Sequence, residues 1–523
     1  MANKNLFASL RDALIPKADA RNSHGAPAYA LAPKQALAQY AAMGCFGRTF
    51  YATAEEQLEK VLELCEQVDP AFVARVAIYS RTQSFMKDMP ALLCAWLSKR
   101  DARLHEQVFA RVIDNTRMLR NYVQIVRSGV VGRKSLGSAP KRLVRDWLAS
   151  RDEDALFASS VGQNPSLPDI LKMVHPKPGA ARREAFYGYL LGRKHEVSAL
   201  PQLVTQFERF KAGESTEVPD LPFTMLSALP LSKKDWTEIA RNASWQATRM
   251  NLNTFARHGV FEDAGLVREI ANRLRSANEI KRARVFPYQL LTAFQNTDTS
   301  SVPEILRDAL QDAMELAVAN VPRVEGDVVV CPDVSGSMSS PVTGHRVGAT
   351  SKVRCIDVAA LVAAAIVRKH PSARVLPFEQ AVVKLQLNSR DSVMTNAAKL
   401  GSIGGGGTNC SAPVALLNKE RAKADLVIFV SDNESWCDQG KPDQGCGRGT
   451  ALMNEWSAFK ARNPKARLVC LDIQPNQTTQ AVEREDILNI GGFSDQVFEV
   501  ISAFASGELE AGHWIGRIEK VAA

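Results

Sequence analysis

The spacing of apolar residues changes near residue 320. From Thr53 to about Val318, apolar residues recur every three or four positions, in stretches separated by short polar breaks. This spacing predicts a succession of amphipathic helices, and no strand-like alternation interrupts them. Serial helix pairs of this kind favour an α-solenoid with HEAT-like stacking. Because no fixed repeat period is visible, a longer helical bundle is the alternative.

After about Val324, short apolar runs rich in β-branched residues alternate with helical stretches. Strands are predicted over 327–331, 373–378, 381–387, 425–430, 467–472 and 497–501, and helices over 357–369, 392–400, 412–420 and 450–462. Alternating strands and helices predict a mainly parallel, doubly wound α/β sheet of the Rossmann-like type. The predicted domains are an N-terminal arm over 1–50, a helical domain over 51–323 and an α/β domain over 324–523.

A polar loop directly follows the first of these strands and carries Asp333, Ser335 and Ser337 at alternate positions. Ligands of open α/β sheets bind beyond the carboxyl ends of the strands, which is where this loop is expected to lie. Carboxylate and hydroxyl oxygens suit a hard cation, and Mg²⁺ usually keeps some water or substrate oxygens. The alternative is a polar turn without a ligand.

Two later stretches bring further oxygen ligands to the ends of predicted strands or into loops. Thr408 follows the glycine run 404–407, and Asp432 ends the strand predicted over 425–430. Together the three stretches resemble the metal-ion-dependent adhesion site (MIDAS) of von Willebrand factor A (vWA) domains. The resemblance implies a metal shell of Asp333, Ser335, Ser337, Thr408 and Asp432. The expected cofactor is a divalent ion, Mg²⁺ first and Mn²⁺ or Ca²⁺ as alternatives, which would accept an acidic side chain of a protein partner.

The positive charge of the chain is unevenly distributed. The net charge is +9, and residues 1–320 carry 43 Lys and Arg against 34 Asp and Glu, so the whole excess lies before the α/β domain. Residues 103–145 alone contain ten basic and two acidic residues. Such an asymmetry indicates a polyanionic partner.

The candidate nucleic-acid contacts lie in this basic stretch and in a second, smaller group. The first set is Arg117, Arg120, Arg127, Arg133, Lys134, Lys141, Arg142 and Arg145, and the second is Lys172, His175 and Lys177. The alternative for the first set is the solvated faces of two helices, although such faces usually mix charges of both signs. From spacing alone, His175 is either a phosphate donor or a packed histidine at a helix end.

Scattered motifs resemble those of the Ro ribonucleoprotein family, which combines a TROVE module with a vWA domain. The matching segments are 127–134, 142–147, 169–177, 283–288, 406–411 and 431–434. The resemblance implies a ring of HEAT-like repeats closed by the vWA domain, and RNA contact by His175. It also implies binding of Y RNA on the outer surface and of 3′ ends of misfolded or structured noncoding RNAs, with tethering through Y RNA to polynucleotide phosphorylase.

One segment departs from the family pattern. Residues 157–164 contain no basic residue, although the family carries basic residues just before the helix of the matching histidine. The cluster from Arg127 to Arg145 is therefore expected to carry more of the RNA contact.

The sequence argues against an enzyme. It shows no Ser/His/Asp order and no paired-carboxylate site, and the glycine run 404–407 lacks the Lys-Ser/Thr of a P-loop. The prediction is an RNA-binding scaffold for RNA quality control, processing or decay. A metal-dependent protein-binding adaptor is the second hypothesis, and a metal-dependent hydrolase the third.

The expected location is the cytoplasm, with no membrane partner. No apolar run approaches the length of a membrane span, and residues 1–14 lack a signal-peptide core. Nine scattered cysteines without an export signal are typical of reduced thiols.

Overall fold

The computed structural model describes residues 15–43, 48, 51–283, 287–318, 326–342, 353–437, 449–474, 476–492, 495–507 and 513–522. The chain forms two compact units. The sheet unit comprises the described residues of Met1–Val68, Arg284–Thr292 and Gln311–Ala522, and the helical unit those of Asp69–Ala283 and Ala293–Leu310. The domain limits predicted from the sequence remain predictions. The two units are defined by contacts in space, and each combines segments that are separate along the chain. Part of the family-like segment 283–288 lies outside the described residues.

A hairpin and then a long series of helices open the chain. The hairpin strands are β1 (Ala20–Arg21) and β2 (Pro27–Ala30). The helices are α1 (Pro33–Met43), α2 (Ala54–Glu66), α3 (Pro70–Thr82), α4 (Asp88–Arg100), α5 (Ala102–Val112), α6 (Thr116–Ser128), α7 (Ser138–Ala149), α8 (Glu153–Ala158), α9 (Leu167–Val174), α10 (Ala181–Leu190), α11 (Gln202–Lys211), α12 (Phe223–Leu226), α13 (Lys233–Asn242), α14 (Trp245–Met250), α15 (Leu252–Arg257), α16 (Ala264–Leu274), α17 (Ala277–Ala283), α18 (Pro287–Asn296) and α19 (Glu304–Ala317). The described part of residues 51–318 contains no strand, as predicted.

Local sequence signals begin these helices. The Thr53 hydroxyl accepts a hydrogen bond from the Glu56 amide (3.2 Å), and the Glu56 carboxylate accepts one from the Thr53 amide (2.7 Å), which forms a capping box before α2. Asp69 caps α3, where Pro70 occupies the first helical position. In the helical unit, α4 packs against α3, α5 and α6, and α3 also packs against α5. Contacts with the next helix and the next but one are those of stacked helix pairs.

The sheet unit is built on five parallel strands. The remaining strands of the chain are β3 (Val328–Pro332), β4 (Arg374–Val375), β5 (Leu426–Ser431), β6 (Arg467–Asp472), β7 (Thr478–Thr479) and β8 (Ile487–Gly491), and the order in the main sheet is β4-β3-β5-β6-β8. Its helices include α20 (Cys355–Lys369), α21 (Val393–Gly401), α22 (Ala412–Lys419), α23 (Ala451–Arg462), α24 (Asp495–Ala505) and α25 (His513–Glu519). The predicted doubly wound α/β fold is confirmed.

Two predicted strands are wrong. Residues 497–501 lie in α24, because Val497, Ile501 and Phe504 are buried at helical spacing on one face. Residues 381–387 form no strand and contribute only an isolated bridge between Phe378 and Val382. The last strand of the main sheet, β8, was not predicted.

The strand order creates a crevice at the middle of the sheet. From β3 the chain moves to β4 on one side, and from β5 it moves to β6 and β8 on the other. The chain segments that follow β3 and β5 therefore run to opposite sides of the sheet. The loops beyond the carboxyl ends of these two strands diverge and leave a crevice between them. Open α/β sheets bind their ligands at this switch point.

The N-terminal residues are built into the sheet unit. Strand β2 pairs antiparallel with β7, through Tyr29 with Thr479 and Ala30 with Thr478. Helix α1 packs against β8, where Gly491 leaves room for the side chains of Gln39 and Met43. The described residues of the predicted N-terminal arm therefore form part of the sheet unit. No helix in the described residues has both the length and the apolar character needed to cross a membrane.

Candidate metal centre and basic surface

The loop after β3 holds the first group of predicted metal ligands. Asp333 is fully buried directly after the strand. One of its carboxylate oxygens accepts a hydrogen bond from the Ser335 amide (2.8 Å) and the other from the Ser431 hydroxyl at the end of β5 (2.6 Å). The hydroxyls of Ser335 and Ser337 lie 3.3 Å apart. The alternate spacing read from the sequence therefore brings these oxygens together.

Backbone hydrogen bonds hold the glycine loop against this first loop. The Gly336 amide donates to the Gly406 carbonyl (3.1 Å). A Cβ atom at Gly406, whose φ is +69°, would collide with the Glu379 carboxylate, so glycine is needed there. The buried Thr408 accepts hydrogen bonds on its carbonyl from the amides of Trp436 and Cys437, both 3.0 Å. These bonds connect the glycine loop with the loop that follows Asp432.

Asp432 is the predicted ligand with the most unusual surroundings. The residue is 1% exposed. Neither of its carboxylate oxygens makes a hydrogen bond of normal geometry to any described residue, although the Ser337 hydroxyl and the Glu434 amide are near enough to lower its pKa. A buried carboxylate without such partners is costly unless it is neutralised. A buried carboxylate without such partners that lies beside the Ser337 hydroxyl fits a cation site.

The protonation of the site supports the same conclusion. Burial, followed by the charge of Asp333, raises the pKa of Asp432 to about 8, and burial also raises the pKa of Asp333. A bound divalent cation would favour the ionised form of both groups. In the described residues no three His, Cys, Asp or Glu side chains form a metal cluster, so serine and threonine hydroxyls would have to complete the shell.

Several polar groups around this centre were not predicted from the sequence. Ser431 holds Asp333, as described above. Asp472, at the end of β6, is buried and accepts a hydrogen bond from the Gln39 amide (3.1 Å). Glu434 is 2% exposed, and burial raises its pKa to about 7. Asp472 could have been identified because it ends the predicted strand 467–472. Glu434 could have been identified because it lies in the family-like segment 431–434.

The predicted RNA contacts all lie in the helical unit, on and after α6, α7 and α9. Eight are exposed: Arg117, Arg127, Lys134, Arg142, Arg145, Lys172, His175 and Lys177. Three are partly buried: Arg120, Arg133 and Lys141. We refer to these eleven residues as the basic surface.

Several of these cations already serve the fold. The guanidinium of Arg133 donates to the carbonyl of Ser98, and that of Arg145 donates to the carbonyl of Val174, the last residue of α9. Arg142 pairs with Glu106 (2.9 Å) and lies 3.6 Å from Asp146. Acidic side chains thus lie closer to the basic surface than the local sequence suggested.

The two basic groups of the sequence meet in space. Helix α9, which leads into the second group, packs against both α6 and α7. Arg145 of the first group binds the carbonyl that precedes His175, which ends α9 in a left-handed conformation with φ +50°. Hydrogen bonds from Ser166 lower the pKa of Asp169, and the charges of Lys172 and Arg127 lower it further. Lys172 and Arg127 therefore lie on a common surface, and His175 is an exposed helix end rather than a packed histidine.

The segment without basic residues contacts an arginine from another helix. The Arg120 guanidinium donates to the Val161 carbonyl (2.6 Å) and occupies the space where a side chain at Gly162 would lie. The structure thus places a positive charge beside residues 157–164, although the segment itself contains none.

The parallel sheet and its surrounding helices define the sheet unit as a vWA-like domain, and the chain also contains a unit of stacked helices. Residues 328–505 match the family model of the Ro60 vWA domain. The chain is 26% identical to the RNA-binding protein RO60 of Deinococcus radiodurans, over 94% of this chain and 96% of that protein. It is 23% identical to the RNA-binding protein RO60 of Caenorhabditis elegans, over 60% of this chain and 50% of that protein.

The fold is similar to a solved structure as well. The crystal structure of the Deinococcus radiodurans RO (RSR) protein matches with a TM-score of 0.62 and 21% identity, over 91% of this chain and 100% of that one. The chain is thus similar to proteins of the Ro family over most of its length, and the match to the family model lies in the sheet unit. The resemblance predicted from the sequence is confirmed.

Proposed function

We propose that the protein binds RNA on the basic surface and performs no chemistry on it. The observation that supports this most is that the two basic groups lie next to each other, because α9 packs against α6 and α7. The two relatives described above are named RNA-binding proteins. A continuous exposed surface of cations is the electrostatic footprint expected for a phosphate backbone.

The cations of the basic surface that are exposed and make neither an ion pair nor a hydrogen bond with any described residue are the best candidates for phosphate contact. They are Arg117, Arg127, Lys134, Lys172 and Lys177. His175 lies between the last two and offers a ring N–H to phosphate or base. Arg133 and Arg145 instead hold backbone carbonyls, so their loss would disturb the fold before it disturbed RNA contact.

Salt-dependent RNA binding tests the proposal. Each phosphate contact with single-stranded RNA contributes about −0.7 to the slope of log K against log salt. Changing Arg127 and Lys172 together to alanine should therefore weaken binding of a structured RNA and reduce the slope by about 1.4. The measurement is filter binding between 50 and 200 mM salt, conditions that span roughly the range where such slopes are clear.

A matched control removes two exposed cations of α13 and α16, Lys234 and Arg268. This double variant should keep the slope of the wild-type protein. Equal effects of the two double variants would show that net charge rather than the basic surface determines binding. A flat salt response of the wild-type protein would contradict the proposal altogether.

The RNA that we propose is a Y RNA together with 3′ ends of misfolded or structured noncoding RNAs. Polynucleotide phosphorylase would join through the RNA, in a cytoplasmic complex for RNA quality control. The support is the resemblance of segments 127–134 and 169–177 to the Ro family and the exposure of His175. Sequencing of RNA that copurifies at low salt tests this, and a random sample of cellular RNA would contradict it.

The metal centre supports a second function, capture of an acidic protein partner. Asp333, Ser335, Ser337, Thr408 and Asp432 would hold Mg²⁺, or alternatively Mn²⁺ or Ca²⁺. When bound, the ion supplies an electrophilic position that a partner carboxylate can occupy. Because the centre offers no evident general base, nuclease and phosphatase assays with Mg²⁺ or Mn²⁺ should show no activity.

A further inference from the structure

The hairpin between β1 and β2 ends in a well-fixed turn. The side-chain carbonyl of Asn22 accepts hydrogen bonds from the amides of His24 (3.1 Å) and Ala26 (2.9 Å). Gly25 allows this turn because its φ is +75°. Asn22 itself is 6% exposed. The turn is therefore a defined surface, and its contacts have a fixed geometry.

This turn rests on the loop that follows Asp432. The Asn22 side-chain amide donates to the Ser435 carbonyl (2.6 Å). The amide and the hydroxyl of Ser23 donate to the two carboxylate oxygens of Glu434 (2.9 and 3.1 Å). The His24 ring lies 5.4 Å from the ring of Trp436. Three consecutive residues of the turn thus hold three consecutive residues of the loop.

Tyr51 connects the same turn to the metal centre. Its ring packs edge-on against His24, with 5.5 Å between ring centroids. Its hydroxyl lies near the Ser337 hydroxyl and the carboxylates of Asp432, Glu434 and Asp333. The phenol therefore brings one further oxygen to the edge of the centre. Neither Tyr51 nor the turn belongs to the predicted metal shell.

We propose that Tyr51 and the turn Asn22–His24 form an intramolecular cap over the metal centre, and that a partner carboxylate reaches the ion only by displacing Tyr51. This rests on the metal centre of the proposed function. The cap would lower the affinity of the site for carboxylates, because a ligand has to displace the phenol and break the contacts that hold it in place. The occupant that the cap excludes is a carboxylate, because carboxylate oxygens are hard donors suited to this ion.

The test uses the full chain with Mn²⁺ as the metal and acetate as the carboxylate. Mn²⁺ affinity is measured by electron paramagnetic resonance, and acetate affinity by the loss of water-proton relaxation as acetate replaces water on the ion. Tyr51→Phe should bind acetate about fivefold more tightly, roughly the factor that one polar contact contributes. Ser23→Ala, which weakens the hold on Glu434, should change acetate affinity in the same direction by a smaller factor.

The matched control is Tyr189→Phe, which removes a phenol bonded to Glu208 in the helical unit. It should leave both affinities unchanged. If wild-type protein binds Mn²⁺ and neither Tyr51→Phe nor Ser23→Ala changes acetate affinity, the cap is wrong and the metal centre stands. If wild-type protein does not bind Mn²⁺, the metal centre itself is wrong and the cap falls with it.

Discussion

The two units present their candidate sites in opposite ways. In the helical unit the basic surface is broad, and eight of its eleven residues are exposed. In the sheet unit the polar groups converge on one point, and Asp333 and Asp432 are at most 1% exposed. Exposed charges are screened by solvent and salt, whereas buried charges are screened much less. Single changes should therefore have small, additive effects on the basic surface and large effects at the metal centre.

The difference also concerns what each site needs from the fold. Phosphate contact requires only that cations share a surface, so side chains from α6, α7 and α9 suffice. A metal centre requires oxygens at fixed positions, which the adjacent strands β3 and β5 supply through their register. The proposed RNA contact should therefore survive the loss of one cation in part. The proposed metal centre should not survive the loss of a ligand.

The largest effect is expected from Asp432→Asn. This change removes a charged ligand, so the Mg²⁺ or Mn²⁺ affinity should fall by at least about 100-fold, more than for loss of an outer-shell partner. Saturating Mg²⁺ at about 100 times its dissociation constant should stabilise the wild-type protein by roughly 2.7 kcal/mol and the variant hardly at all. Isothermal titration and thermal denaturation measure the two effects.

The same variant tests the pKa of Asp432. A folded pKa of about 8 lies above that of the unfolded carboxyl, so the folded protein retains a proton that the unfolded chain loses. The metal-free protein should therefore lose stability as the pH rises from about 4 to 8, and Asp432→Asn should reduce this loss. Asp391→Asn, which breaks an exposed ion pair with Lys399, is the control. A pH profile that is equal in all three proteins would contradict the assignment.

An intermediate effect is expected from His105 beneath the basic surface. This residue is 2% exposed and is hydrogen-bonded to the Tyr122 hydroxyl (2.8 Å). Burial, followed by the charge of Arg133, lowers the pKa of His105 to about 4. The unfolded chain takes up a proton below pH 6.5 that the folded protein takes up only near pH 4, so stability falls as the pH drops through this range.

The acid loss should reach roughly 2 kcal/mol at pH 5, about 1.5 units below the pKa of the unfolded chain, because each pKa unit corresponds to about 1.4 kcal/mol. His105→Gln should abolish this part of the pH dependence, although it lowers stability at pH 7. Urea unfolding at pH 7 and pH 5, followed by circular dichroism, measures the slope. The exposed His258 offers a control substitution that should keep the wild-type slope. An unchanged slope in His105→Gln would show that another group controls acid unfolding.

The smallest effect is expected from Glu106→Gln on the basic surface. Glu106 holds Arg142 in an exposed ion pair, which contributes little to stability because solvent and salt screen it. Its loss should free Arg142 for phosphate, raise RNA affinity a few-fold and make the salt slope steeper by about 0.7. Glu262→Gln, which frees Lys233 instead, should leave RNA binding unchanged. Weaker binding of Glu106→Gln would show that the ion pair orients Arg142 for RNA.

Local signals were sufficient for much of this fold. The caps at Thr53 and Asp69, the buried run that became β3, and the order of helices and parallel strands all follow from periodicity and capping. They failed at 497–501, where four apolar residues in a stretch of five fit a strand as well as a helix. The next buried residue is Phe504, which follows Ile501 by three positions, and this spacing is typical of a helix.

The sequence by itself determined which residues are candidates for the two sites, because an Asp with two serines after a strand and an excess of arginine are properties of composition and order. Only the tertiary structure decided which of them lie together. It brought Lys172 and Arg127 to the same carboxylate, used Arg133 and Arg145 to bind backbone carbonyls, and placed Tyr51 near Asp432. The physical reason is that burial and pairing depend on neighbours that are distant along the chain, and no local pattern encodes them.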